Sequence, residues 1–173
     1  MKKIGIISDT HEYMDERILH FLKDCEEIWH AGDWGNYSVA EQLQKIAKVR
    51  GVYGNIDGQD IRSTYEKAIR FVCEGIVVLI THIGGYPGKY SPDIREAIKR
   101  NPPDLFICGH SHILKVVKDP KLNLLHINPG AAGRHGFHKV RTLVLMEVNG
   151  KKMENIRVVE LGTRTTNPDD IEI

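Results

Sequence analysis

The stretch from Leu105 to His112 reads LFICGHSH: an apolar run, one glycine, then two histidines separated by a serine. Leu105 to Cys108 has the length and character of a buried strand, and the residues after it deliver polar donors at the point where a core would stop. Upstream the chain alternates. Lys3 to Ser8, Glu27 to Ala31, Lys48 to Tyr53, Ile69 to Val72 and Ile76 to Thr81 are short apolar or alternating runs bounded by Gly, Asp or Asn, and they predict strands. Ile18, Leu19 and Leu22, then Val39, Leu43 and Ile46, then Ile94, Ala97 and Ile98 recur at helical spacing. Asn36 or Ser38 can cap the second helix and Ser91 or Pro92 can open the third, which Asn101, Pro102 and Pro103 end. Downstream of Gly109 the pattern changes. Lys115 to Lys118, Leu124 to Ile127, Thr142 to Val148 and Asn155 to Leu161 are strand-like runs joined by turns such as Asp119-Pro120 and Asn149-Gly150, with no helical period between them. The expectation is an α/β fold: two mixed sheets packed face to face with helices outside, the second sheet built largely from the C-terminal hairpins. Residues 1–162 form a single domain and residues 163–173 a polar tail.

The chain has 173 residues, with 24 Lys and Arg against 23 Asp and Glu, a formal charge of +1. Nothing global draws it to long nucleic acid or anionic lipid, and there is no basic stripe interleaved with aromatics. Any attraction for anions is local. The opening MKKIGIISD has too short an apolar run for a signal peptide or a membrane span, so a cytoplasmic protein is expected. Cys25, Cys73 and Cys108 are isolated and odd in number, as suits buried thiols in a reducing compartment.

The informative pattern is what ends each predicted strand. IGIISDTH ends in Asp9 and His11, IWHAGD in Asp33, VYGN in Asn55, VLITH in His82 and FICGHSH in His110 and His112. In an α/β sheet the C-terminal strand ends share one edge, where ligands bind. On extended chain, residues i and i+2 point the same way, so Asp9 with His11, and His110 with His112, are each expected to face one pocket. Gly32, Gly54 and Gly109 stand where a side chain would crowd such a site. One such strand end is ordinary turn chemistry; the ordered set is not.

Carboxylate, amide oxygen and imidazole without thiolate suit manganese, iron, zinc, nickel or cobalt, with manganese the first choice, and seven donors exceed what one ion takes. Two divalent ions sharing a carboxylate fit. Such a pair sits roughly 3.5–4 Å apart and lowers the pKa of bound water from 15.7 toward about 7, which gives a bridging hydroxide as nucleophile. Two ions contribute +4, Asp9 and Asp33 remove two and the hydroxide one, so a charge of about +1 awaits an anionic ester. Hydrolysis of a phosphate ester is the reaction class that follows.

The order D-x-H, G-D, G-N, H, G-H-x-H between Asp9 and His112 resembles the calcineurin-like metallophosphoesterases, and the absence of large insertions resembles their small single-domain phosphodiesterase branch. That resemblance implies a four-layer αββα sandwich. It implies a first metal held by Asp9, His11, Asp33 and His112 and a second held by Asp33, Asn55, His82 and His110. Asp33 is then the bridge, Asp33, Asn55 and His82 are the catalytic candidates, and a small-molecule phosphate ester is the partner. A homo-oligomer is compatible with the sequence. The same branch contains the phosphoesterase-fold subunit of the retromer coat, so a non-catalytic scaffold or interaction module is the alternative; the intact ligand set favours the enzyme.

Two departures matter. Many members read G-N-H-D or G-N-H-E, with a histidine that binds phosphate and protonates the leaving group; this chain reads GNID, with Ile56 in that place and Asp57 reduced to a candidate turn residue. Good leaving groups and diesters are then favoured over monoesters. After His82, where another histidine often follows two residues on, the chain has Gly84 in THIGGYPGKY, and Gly84, Gly85 and Tyr86 are weak candidates for a loop over the substrate. INPGAAGRHGFHK supplies the family's Asn-Pro-Gly turn, followed by Arg134, His135, His138 and Lys139. Asn55 and Arg134 are the substrate-binding candidates, since a guanidinium suits a phosphate. Trp34 is a candidate pocket wall or a packing residue.

Overall fold

The computed structural model describes residues 1–165; most of the polar tail, residues 166–173, lies outside the described residues. The first sheet contains β1 (Lys2–Ile7), β2 (Glu27–His30), β3 (Lys48–Gly51), β11 (Val140–Asn149) and β12 (Lys152–Thr163), in the spatial order β12-β11-β1-β2-β3. The second contains β4 (Ala68–Cys73), β5 (Ile76–Thr81), β8 (Leu105–Ile107), β9 (Lys115–Asp119) and β10 (Leu124–Asn128), in the order β4-β5-β8-β10-β9. The helices are α1 (Glu16–Leu22), α2 (Tyr37–Gln44), α3 (Gln59–Arg62) and α4 (Pro92–Arg100). Asn36 caps α2 by accepting from the Ser38 N–H, and Pro92 opens α4 after Ser91.

The period-2 alternation of the strands sorts their side chains into layers. Ile4 and Ile6 of β1, Val78 and Ile80 of β5, and Leu105 and Ile107 of β8 meet in one core between the sheets. Ile7 and Ile28 turn outward to pack with Ile18 and Leu22 of α1, Leu43 of α2 and Ile61 of α3. On the far side Leu79 and Phe106 pack with Ile98 of α4. The result is the four-layer αββα sandwich. Its two sheets are mixed: β1, β2 and β3 run parallel with β11 antiparallel beside them, and β5, β8 and β10 run parallel between antiparallel β4 and β9.

One topological expectation is corrected. The C-terminal hairpins do not together build the second sheet: β9–β10 joins it, whereas β11–β12 joins the first sheet through pairing of β11 with β1. A hairpin's own sequence sets its internal register but not the sheet edge it extends. A two-stranded ribbon, β6 (Gly85–Tyr86) with β7 (Lys89–Tyr90), and the short α3 also lack a sequence signal of their own.

Arg141 on β11, fully buried, donates from Nε to Ala132 O at 2.8 Å and from a terminal nitrogen to Asp15 Oδ2 at 2.9 Å, while Asp15 Oδ1 caps α1 through Ile18 N. That pair ties the segment after β10 to the start of α1, beside the loop that follows β1. No helix among the described residues is long and apolar enough to cross a membrane.

Candidate metal centre

The segments leaving the C-terminal ends of the parallel strands carry the polar residues. Asp9 and His11 follow β1, Asp33 follows β2, Asn55 follows β3, His82 follows β5, and His110 and His112 follow β8. The backbone there is not extended. Asp9, His11, Asp33, His110 and His112 have φ of 54°, 44°, 58°, 69° and 59°, so the expected i, i+2 alternation is replaced by left-handed turns. Such conformations cost non-glycine residues of order 1–3 kcal/mol each and persist where surrounding structure imposes them, typically at functional sites. The turns also separate two neighbours: His110 and His112 face different groups.

One group brings ligand atoms of Asp9, His11 and His112 within 4.8 Å of one another; the other does the same for Asp33, His82 and His110. The groups adjoin. His11 Nε2 lies 3.6 Å from Asp33 Oδ2, and His82 Nε2 lies 3.2 Å from the same oxygen and 4.0 Å from Asp9 Oδ1. Asn55 Oδ1 is 3.0 Å from both His82 Nε2 and His110 Nδ1. Two glycines permit this crowding: a Cβ on Gly54 would stand 2.0 Å from Asp33 Oδ1, and one on Gly109 would stand 2.1 Å from Ser8 Oγ and 2.6 Å from Asp9 Oδ2.

The hydrogen bonds around the groups decide which atoms face inward. His138 Nε2 lies 2.8 Å from Gly133 O, which can only accept, so that nitrogen carries the proton. Neutral His138 then accepts at Nδ1 from His112 Nδ1, 3.2 Å away, so that His112 presents Nε2 toward Asp9 Oδ1 at 3.1 Å. His82 likewise donates Nδ1–H to Ala31 O at 2.8 Å, leaving Nε2 for Asp33 and Asn55. Asp9 Oδ2 accepts from Ser8 Oγ at 2.6 Å and from His110 N at 3.1 Å, but Asp9 Oδ1 and His11 Nε2 are buried without a hydrogen-bond partner. Acceptor atoms facing one another in a buried site call for a positive charge among them. A divalent ion would meet that need at the Asp9, His11 and His112 group, and the imidazole-carboxylate donor set of both groups suits transition metals.

The protonation tendencies of His11 and His138 agree with this, whereas His82 and Asp33 favour an oppositely charged pair. Burial pulls the His82 pKa down, yet Asp33, Asp9 and Ala31 O together raise it above the usual imidazole value; burial pushes Asp33 up, yet His82 and the Ile56 N–H hold it low. His11 is lowered by burial despite Asp33 and Asp9, and His138 is lowered by burial despite Gly133 O. Neutral His11 and His138 leave the lone pairs required above.

Several supporting residues carry weak sequence signals. Asp57 is more than a turn residue: its carboxylate accepts from Asp33 N at 3.0 Å, Gly35 N at 3.0 Å and Gly54 N at 2.7 Å, binding the loop after β2 to the loop after β3. Arg62 stacks on Tyr53 and donates to the carbonyls of Asp57, Gly54 and Asn55. Asn128 of the Asn-Pro-Gly turn donates to Gly109 O at 3.0 Å and Ser111 Oγ at 3.1 Å, steadying the loop that carries both histidines. An acidic residue three positions after Gly54 is the one local hint of these roles; no local pattern marks His138.

A cavity of about 470 Å³ opens over the two groups, lined by His11, Asp33, Asn55, Ile56 and, from the loop after β10, His135 to His138 among others. Arg134 is not in that wall. Its Nε donates to Arg164 O at 2.9 Å and its guanidinium lies 5.3 Å from the Tyr13 ring centroid. At Ile56 it is the backbone N–H that meets Asp33 Oδ1, at 3.1 Å. Trp34 is fully buried, stacked between His30 and Tyr65, and is a packing residue. Gly84 packs on Phe106 and Cys108, and Tyr86 lies under Lys115 in the β6–β7 ribbon, so neither lines the cavity.

Known proteins resemble this chain in sequence or in fold. A probable metallophosphoesterase of Methanothermobacter thermautotrophicus is 28% identical over 158 residues, covering 87% of this chain and 88% of its own length. A phosphodiesterase of Methanocaldococcus jannaschii is 29% identical over 146 residues, covering 74% of this chain and 82% of its own. Among solved structures, Vps29 of Chaetomium thermophilum superposes with a TM-score of 0.71 at 16% identity, covering 92% of this chain and 95% of that one. The family model of the calcineurin-like phosphoesterase superfamily domain matches residues 1–151, and the chain belongs to that superfamily.

Proposed function

We propose that the chain is a dinuclear metal-dependent phosphodiesterase acting on a small-molecule ester, with manganese as the preferred ion and the cytoplasm as its compartment. The observation that carries the reading is Asp9 Oδ1, buried without a hydrogen-bond partner and faced at 3.1 Å by Nε2 of His112, whose Nδ1 is engaged by His138. When bound, the two ions supply a hydroxide nucleophile at neutral pH and offset phosphate charge. Asp9, His11 and His112 hold one ion and Asn55, His82 and His110 the other, with Asp33 shared. Asn55, at the cavity wall, also orients the phosphate; Arg134, engaged by Arg164 O, does not contribute.

Two features favour diesters. Ile56 replaces a side-chain proton donor with an apolar group, so poor leaving groups go unassisted. No Lys or Arg appears among the described residues lining this cavity, Arg62 and Lys67 lining the adjoining one beyond Asn55 and His82, so within it a monoanionic diester is better matched than a dianionic monoester. The three free cysteines suit a reducing cytoplasm.

Manganese-loaded protein should hydrolyse bis(4-nitrophenyl) phosphate faster than 4-nitrophenyl phosphate. The reverse preference would defeat the diester reading. Metal uptake without turnover of any diester in a broad panel would instead favour a non-catalytic scaffold that keeps the fold.

A further inference from the structure

The cavity over the metal centre has a rim of different chemistry from its floor. Phe137 is fully exposed, Ile113 is 63% exposed and Ile56 is 47% exposed, and all three line this one cavity. They arrive from separate segments, after β10, β8 and β3. Single exposed apolar residues are common on protein surfaces; three converging on a concave, histidine-floored cavity mark a place where apolar matter is bound.

Phe137 is held in this position by its neighbours. Arg164 donates to Gly136 O, Arg134 fastens Arg164 O, and His138 is bonded to both Gly133 O and His112. Gly136 lies so close to His112 that an added Cβ would stand 2.3 Å from Nδ1. Phe137 is thus flanked by Gly136, whose carbonyl Arg164 holds, and by His138, whose side chain is fixed against His112, and its ring projects at the cavity mouth.

From this geometry we infer that Ile56, Ile113 and Phe137 form a subsite for an aromatic ester group of a monoanionic phosphodiester. The inference rests on the phosphodiesterase reading for the anionic end of the ligand, which the floor receives. The rim receives the ring, because its side chains offer apolar area and no hydrogen bonds, and among the described residues this cavity's lining holds no Lys or Arg for a second phosphate, Arg62 and Lys67 facing the adjoining cavity. A ring partly removed from water against three such side chains gains on the order of tenfold in affinity.

The test compares diphenyl phosphate with dimethyl phosphate by calorimetric titration of manganese-loaded wild type, Phe137→Ala and Ile113→Ser. Both substitutions are at exposed positions, so folding is retained. Wild type should bind the diphenyl ester on the order of tenfold more tightly, and each substitution should cut that preference severalfold while leaving dimethyl phosphate unchanged. Equal affinities in wild type, or a preference untouched by both substitutions, overturns the subsite. A change of oligomeric state in Phe137→Ala with binding unaltered would make the rim a contact between copies and overturn it equally. Binding is read separately from turnover: a phenyl preference without hydrolysis sinks the catalytic reading alone, and hydrolysis without a preference sinks the subsite alone.

Discussion

The Nδ1 atoms of His112 and His138 lie 3.2 Å apart, and Gly133 O fixes which ring carries the proton between them. His138 therefore orients the His112 ring with Nε2 toward Asp9, and would act through it on an ion held there. Residues that orient a metal-binding histidine typically contribute 10- to 100-fold in affinity. His138→Ala should weaken manganese binding at the Asp9, His11 and His112 group by about 10- to 100-fold. Competition titration with a chelating dye reads this directly, and unchanged affinity would show that His112 needs no such support.

Asp57 makes a different kind of contribution. Its carboxylate receives three backbone N–H groups, and Asp57→Ala would leave them buried without that acceptor. The expected loss is about 3 kcal/mol, a fall in Tm of roughly 6–12 °C for a chain of this size. Asp57→Asn, which keeps part of the acceptor capacity, should lose less. Thermal unfolding of the two variants checks both the size and the order.

Away from the site, Glu27 sets an acid limit on stability. Burial pushes its pKa up, but hydrogen bonds from Arg50, Trp29 and Lys2 outweigh that and hold it at about 2, against an ordinary value of 4.5. Between those values the unfolded chain binds the proton more readily than the folded one, so stability is lost as pH falls. Glu27→Gln removes this contribution. The difference in urea midpoint between wild type and the variant should be widest above pH 4.5 and shrink toward pH 2; a constant difference would show that Glu27 is not held as described.

Much of the architecture was legible because its signals are local. Apolar runs closed by Asp9, Asp33, Asn55, His82 and His110 announce strands whose ends leave a core, and Val39 and Leu43 announce a helix by spacing alone. What stayed hidden depends on distant partners. The attachment of β11 to β1 joins residues more than a hundred positions apart and leaves no trace in a hairpin's own pattern. Asp57 looks like any residue of a Gly-Asn turn until the loop after β2 lies against it. The left-handed backbone at Asp9, His11, His110 and His112 was likewise invisible, since Asp and His adopt it more often than most residues but still only in a minority of positions.

The proposed paired centre would depend on Asp33, whose Oδ2 lies 3.2 Å from His82 Nε2 and 3.6 Å from His11 Nε2. His112→Ala should deplete mainly one ion, whereas Asp33→Asn should disturb both. The most direct measurement is electron paramagnetic resonance of protein given two equivalents of manganese. The spectrum of wild type should show two magnetically coupled ions, and that coupling should vanish in Asp33→Asn. Isolated-ion signals alone in wild type, or coupling that survives in Asp33→Asn, would contradict a metal pair bridged by this carboxylate.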